Sequence, residues 1–167
     1  MHLRRGFWGI RIISGGQTGV DRAALDVALA LGLPCGGFCP KGRRAEDGPI
    51  PLIYPLEETK SARYAARTWA NVGSADATLI LSPLPLTGGT LLTRKACLSL
   101  GKPFLVVNPD HRQEVCAVEG WLEEQRVRVL NVAGPRESQV PGIYRLAKAF
   151  LLELLQTGRR GPEEPRR

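Results

Sequence analysis

Ser14-Gly15-Gly16-Gln17-Thr18-Gly19 stands between a short apolar run, residues 10–13, and a helix-like run, residues 20–31. Three glycines in six residues let the backbone approach a partner closely and turn free amides toward it. The helix behind adds four unpaired N–H groups and the positive end of its dipole, a combination that favours phosphate or another anion. Packing and tight turns use glycine as well. The spacing matches neither G-x-G-x-x-G nor a P-loop, and no lysine follows Gly19. What this stretch does therefore depends on its surroundings.

Outward from it, strand and helix patterns alternate. Residues 9–14 read as a strand and residues 20–31 as a helix with Ala24, Leu25, Ala28, Leu29 and Leu31 on one stripe and Gly32 at its end. A glycine-containing strand over 34–39 leads into a long polar loop, 40–60. The helix over 61–72 carries Tyr64, Thr68 and Trp69 with Arg63 and Arg67 between them. Residues 77–81 form a continuous apolar run that suits a buried parallel strand. A turn over 82–89, a helix over 90–100, a strand over 103–107, a helix over 113–125, a strand over 127–132 and a helix over 140–156 complete the order. This alternation predicts an α/β fold: a Rossmann-like three-layer sandwich with a mainly parallel central sheet. It predicts one ligand-binding domain over 1–157 and a charged, Pro/Gly-rich, disordered tail over 158–167.

Composition narrows the class. The chain has 167 residues, 43% hydrophobic and 23% charged, enough for a full core without disulfide or metal staples. No apolar run approaches the ~20 residues of a membrane span and no signal-peptide pattern opens the chain, so a cytoplasmic protein away from membranes is expected. A formal net charge of +7 suits anionic partners, although arginines at both ends, Arg4, Arg5, Arg159, Arg160, Arg166 and Arg167, carry part of it and a solvated basic surface explains it equally. Cys35, Cys39, Cys97 and Cys116 lack paired C-x-x-C spacing, and His2 and His111 are isolated. Reduced, mostly buried thiols and no structural metal follow, with Cys35 and Cys39 on one face of a single strand.

A parallel sheet sends every loop that follows a strand to one edge, where ligands bind. Sorted that way, the loops after strands hold nearly all the glycine-rich, arginine-bearing and carboxylate-bearing segments; those after helices are short and plain. Thr87-Gly88-Gly89-Thr90 repeats the opening logic at a second helix, where Thr90 suits capping as well as ligand contact. Gly134-Pro135-Arg136-Glu137-Ser138 forms a third such turn and adds a guanidinium able to fork onto phosphate oxygens or to pair with a carboxylate. Arg43 and Arg44, with Glu46 and Asp47, make a loop long enough for a lid. Asp21 lies in the first turn of helix 20–31, where the dipole alone favours it, and is a candidate ligand contact or catalytic carboxylate.

The runs S-G-G-Q-T-G-V-D-R-A-A-L-D, G-R-R-A-E-D-G, R-T-W-A-N-V, S-A-D-A-T-L-I-L, L-T-G-G-T and V-A-G-P-R-E-S, in this order over about residues 8–156, resemble the molybdenum cofactor carrier proteins. These belong to the circularly permuted YpsA branch of the SLOG superfamily. The resemblance implies a Rossmann-like fold, a cavity for a nucleotide-like or pterin phosphate, and a homodimer or homotetramer. It assigns Gly15, Gly16, Thr18, Gly19, Thr87, Gly88, Gly89, Thr90 and Arg136 to the anion site. Gln17, Asp21, Arg22, Arg43, Arg44, Gly134 and Ser138 complete the candidate ligand contacts. The same superfamily includes the "lonely guy" phosphoribohydrolases, whose motif P-G-G-x-G-T-x-x-E supplies a catalytic glutamate. Here Thr93 stands in that place, and a threonine hydroxyl does not titrate near neutral pH.

Three readings follow. The first is a binding or carrier protein for molybdopterin-type cofactor or a related nucleotide-derived, phosphate-bearing molecule. The second is a nucleotide hydrolase using Asp21 or the Glu46/Asp47 pair. Nucleic-acid binding through the basic ends comes last, because the interior lacks an aromatic stacking series.

Overall fold

The computed structural model of the protein describes residues 9–157. A five-stranded sheet is built from β1 (Arg11–Ile13), β2 (Cys35–Gly36), β7 (Ala77–Leu81), β8 (Phe104–Val107) and β9 (Val129–Ala133). Its order is β2-β1-β9-β7-β8 and every pairing is parallel. Five helices connect the strands: α1 (Val20–Leu31), α2 (Tyr64–Ser74), α3 (Gly88–Leu100), α4 (Val115–Glu124) and α5 (Ile143–Thr157). The expected Rossmann-like α/β sandwich is present. The predicted basic tail over 158–167 lies outside the described residues.

All five residues of β7 are buried, as a run covered on both faces requires. On one face Ile12, Leu79, Leu81, Leu130 and Val132 meet α1, α4 and α5 through Ala24, Val118, Leu122, Phe150 and Leu154. On the other, Val72 of α2 and Ala96 and Cys97 of α3 form a separate small cluster with Phe104. Left-handed glycines at 32 and 101 end α1 and α3, each returning its amide to carbonyls of the last turn.

Two expectations change between residues 34 and 60. The strand over 34–39 breaks at Gly37, whose φ is 122°, so Cys35 lies in β2 of the main sheet and Cys39 in β3 (Phe38–Cys39), which pairs with β6 (Glu57–Glu58). The two thiols therefore do not share one strand face. Burial pushes the thiols of Cys35, Cys39 and Cys97 above their ordinary value, and Cys116 is exposed. The polar loop over 40–60 is ordered. It contains an antiparallel hairpin, β4 (Arg44–Ala45) with β5 (Gly48–Pro49), and buries Ile50, Tyr54 and Leu56 against Leu25 and Cys39. Alternation is too short in these two-residue strands to show in sequence.

Among the described residues no helix is long and apolar enough to cross a membrane. Phe150 on α5 is fully buried in the larger core. Phe150→Ala is expected to cost about 3–5 kcal/mol of stability, read as a lower urea midpoint with an unchanged slope.

Candidate functional site

The opening glycine turn is used first of all for packing. Gly16 and Gly19 have φ of 77° and 78°, which glycine adopts without strain. A Cβ on Gly19 would lie 2.3 Å from the Pro135 carbonyl oxygen, so the turns after β1 and β9 lie against each other. The Val20 amide donates to that same oxygen at 3.3 Å, and the Arg22 amide donates to Gln17 O at 3.1 Å. The N-terminus of α1 is thus met by protein, which corrects the reading of it as an open anion site.

The other two helix entries differ from each other. At α5 the Glu137 carboxylate accepts from the amides of Gly142 at 2.6 Å and Tyr144 at 3.0 Å, so the first turn already has its anion. At α3, Thr87 is an extended N-cap whose side chain makes no capping bond. No protein acceptor meets the amides of Gly88 and Gly89 among the described residues, and both glycines are exposed. A Cβ on Gly89 would meet nothing within 4 Å. One of the three expected entries is therefore open, because the chain closes the others on itself.

That open entry borders a cavity of about 290 Å³ at the carboxyl ends of β1 and β9. Of the candidates read from sequence, Gly15, Gln17, Asp21, Gly88, Gly89, Thr90, Gly134 and Arg136 line it. Gly16, Thr18, Gly19, Arg22, Arg43, Arg44, Thr87 and Ser138 do not. Gly134 is also a packing residue, since a Cβ there would lie 2.3 Å from Leu81 O. Thr93 lines the cavity and returns its hydroxyl to Gly89 O at 3.0 Å. Neither cysteine nor histidine lines the cavity among the described residues. Among the described residues no cluster of His, Cys, Asp or Glu is arranged to hold a metal ion.

The far wall is α2, which contributes Tyr64, Arg67, Thr68 and Asn71. Arg67 donates through Nη1 to Gly15 O at 2.7 Å and to Asp21 Oδ2 at 3.2 Å. Asp21 Oδ2 also accepts the Gln17 amide at 3.2 Å. The paired side chains are 12% and 9% exposed, so this ion pair fixes the glycine turn to α2 from inside the protein. Burial pushes the Asp21 carboxyl above its ordinary value, opposed by the Arg67 charge and the Gln17 amide. Asn71 both donates to and accepts from the Phe38 backbone, fastening α2 to β3.

The expected lid residues are tied down. Arg43, at φ 53°, gives its guanidinium to four carbonyls, those of Ile50, Pro51, Tyr54 and Leu56, and so builds the loop. Arg22 donates to Gly16 O at 3.0 Å and forks onto Asp47 at 3.0 Å for each bond. Arg44 lies over the Tyr64 ring at 5.1 Å, and Arg67 over the same ring at 5.4 Å. Glu46 accepts from the hydroxyls of Thr18 and Ser138 and from the Ser138 amide at 3.2 Å, with Arg136 Nε at 3.6 Å. Burial raises the Glu46 carboxyl, but the bonds from Ser138 and Thr18 and the charge of Arg136 outweigh it and leave it below the ordinary value. The Arg22 fork likewise holds Asp47 low. Neither Glu46 nor Asp47 lines the cavity.

Residues missed as candidates include Tyr64, Arg67, Thr68, Asn71, Asn131 and Gln139. The four on α2 carry a readable signal: spacing of three, four and seven puts them on one helical face, a polar stripe where a core-facing helix would carry apolar residues. Asn131 lies within β9 and reaches Thr78 at 3.2 Å, and no local pattern marks it.

A parallel sheet with a polar cavity at its carboxyl edge, between a glycine-led helix and a neighbouring turn, defines an α/β protein of Rossmann-like type with its cavity where such folds receive ligands. The sequence model of the circularly permutated YpsA SLOG family matches residues 12–155, and the chain belongs to that family. A solved structure from Syntrophus aciditrophicus SB, titled "Putative molybdenum carrier protein", is 41% identical with a TM-score of 0.84, covering 88% of this chain and 95% of that one. No curated protein matches the chain.

Arg67→Met strips the partner from a buried carboxylate and is expected to cost about 3–5 kcal/mol near neutral pH by chemical denaturation. Asp21 then stands still further above its ordinary value. Its penalty therefore grows as pH rises through its folded pKa, so the deficit should shrink in mild acid; Arg67→Met with Asp21→Asn should recover part of it. The lowered carboxyls of Glu46 and Asp47 stabilise the fold above their unfolded values of 4.5 and 3.8, and that contribution is lost as pH falls through the folded ones. Amide exchange over 44–49 should accordingly speed up in acid before the core opens.

Proposed function

We propose that this protein binds a phosphate-bearing small molecule of molybdopterin or nucleotide type in the cavity and carries it. The observation on which this rests is the pair of unpartnered amides at Gly88 and Gly89, beside Arg136 and bordering about 290 Å³ of space. Amides at a helix N-terminus with a guanidinium alongside suit a phosphate, and the volume suits a small nucleotide-sized molecule. The description of the Syntrophus protein as a molybdenum carrier supports a molybdenum-bearing cargo. The lining hydroxyls, side-chain amides and Arg136 suit the phosphate and the organic portion of such a cargo.

In this reading the chain acts as one domain over 1–157, as a homodimer or homotetramer, in the cytoplasm. The hydrolytic alternative keeps one feature in its favour, the raised carboxyl of Asp21 on the cavity wall. Against it, that carboxylate is already shared between Arg67 and the Gln17 amide, and Thr93 occupies the place of the phosphoribohydrolase glutamate. A carrier reading needs no titrating group; a hydrolytic one does.

Native mass spectrometry of freshly purified protein is expected to show a retained phosphate-bearing molecule. Titration calorimetry with AMP and molybdopterin is expected to show binding that Arg136→Ala weakens roughly ten- to hundredfold, the range for one charge-assisted contact. Absence of binding by every phosphate probe overturns the reading. Release of base or ribose phosphate from AMP on incubation, followed by chromatography, replaces it with the hydrolytic one.

A further inference from the structure

Glu46 is held in the way a bound anion is held. Four donors converge on its carboxylate: the Thr18 hydroxyl, the Ser138 hydroxyl, the Ser138 amide at 3.2 Å and Arg136 Nε at 3.6 Å. They come from the turns after β1 and β9, the two turns whose contact closes α1. The side chain is 20% exposed although it sits at the tip of a surface hairpin. Two of its neighbours belong to the cavity wall: Arg136, which it pairs with, and Gln17, whose Oε1 accepts the Glu46 amide at 2.9 Å.

The segment that delivers Glu46 has a fixed base and a tip held by charge. At the base, Arg43 is bonded to four carbonyls and Ile50 is buried in the cluster with Leu25. The hairpin beyond has two residues per strand, too few to hold a position by their own pairing. Its tip is secured by Glu46 on the cradle, by the Asp47 fork with Arg22, and by the Gln17 contact. Gly42 and Gly48, at φ of 83° and 109°, flank it in open space, with nothing within 4 Å of a Cβ on either.

We propose that the cradle of Thr18, Arg136 and Ser138, which adjoins the cavity through Arg136, is a phosphate seat, occupied here by the chain's own Glu46, which yields it when a ligand phosphate arrives and the hairpin lifts. This rests on the proposal that the cavity takes a phosphate-bearing molecule. A phosphate presents three oxygens and up to two charges to donors that now serve two oxygens and one charge, so exchange favours the ligand at the seat. The cost of lifting the hairpin reduces apparent affinity, as for any site whose competent state is only fractionally populated. Glu46 is in this sense an internal competitor that keeps Arg136 engaged until cargo is present.

Calorimetry with AMP and with inorganic phosphate on the full chain tests this. Glu46→Gln keeps the size of the side chain and removes its charge, and is expected to tighten AMP binding roughly five- to hundredfold, the usual span of a coupling between two competing states. Amide exchange over 44–49 in the unaltered protein is expected to rise when AMP is added. Asp47→Asn loosens the hairpin without touching the cradle and is expected to give a smaller gain in the same direction; it decides the matter if Glu46→Gln does not fold. If the unaltered protein binds AMP and neither variant binds it more tightly, or either binds it more weakly, the latch is wrong and the cavity reading stands. If no form of the protein binds either probe, both fall together.

Discussion

The Pro135 carbonyl oxygen lies against Gly19 so closely that even a methyl group has no room between them, and the arrangement of the whole edge depends on that contact. β1 and β9 are neighbours in the sheet, so the turns that follow them emerge side by side. Pressing one turn onto the other satisfies the Val20 amide and brings Thr18 within 3.2 Å of the Glu137 amide. It also removes α1 from the list of helices able to receive an outside anion. The helix entry left open is that of α3, whose preceding strand β7 lies on the other side of β9.

The same economy runs through the charged residues. Basic composition suggested anionic partners, but inside the fold Arg22, Arg43 and Arg67 spend their guanidinium groups on the chain's own carbonyls and carboxylates. Charges drawn into a fold are tolerated when they are paired or hydrogen-bonded, and each of these is. Asp26 follows the rule from the acidic side, accepting the hydroxyls of Tyr54 and Tyr144 and so joining the 50–56 segment and α5 to α1. Burial and that carboxylate raise both phenols, Tyr144 to about 12. Arg136, at the rim, pairs with Glu46 from the same surface hairpin tip that supplies Asp47 to Arg22.

The architecture was largely legible because its signals are local. The bounds of α1 and β7 agree with the sequence reading, since a glycine-ended apolar stripe and a continuous apolar run carry their own limits. The site was half legible. Glycine, hydroxyl and arginine at strand ends pointed to the edge where Gly15, Gly88, Gly89 and Arg136 gather around a cavity. What sequence did not disclose was which donors the chain would satisfy itself: the capture of the Val20 amide by Pro135 joins turns that no local pattern relates, and Glu137 reaches the α5 amides at a spacing outside the capping box. Arg43 looked like a lid residue because nothing nearby in sequence announces four carbonyl partners spread over residues 50–56. The polar face of α2 is readable from spacing alone, since Tyr64, Arg67, Thr68 and Asn71 fall on one side of the helix.

Gly37 links two parts of the molecule that would otherwise vary independently. By turning the chain out of the main sheet it stops β2 after two residues, which leaves little free edge there for another strand to join. A Cβ at this position would lie 2.3 Å from Ser14 O and 3.0 Å from Asn71 Oδ1. Ser14 begins the glycine turn and Asn71 belongs to the cavity wall, so lengthening that edge strand would displace both. For engineering or divergence, the 35–39 corner is therefore a poor place to insert or substitute. Gly42 and Gly48, by contrast, face open space, and there the positive φ of 83° and 109° rather than crowding resists substitution.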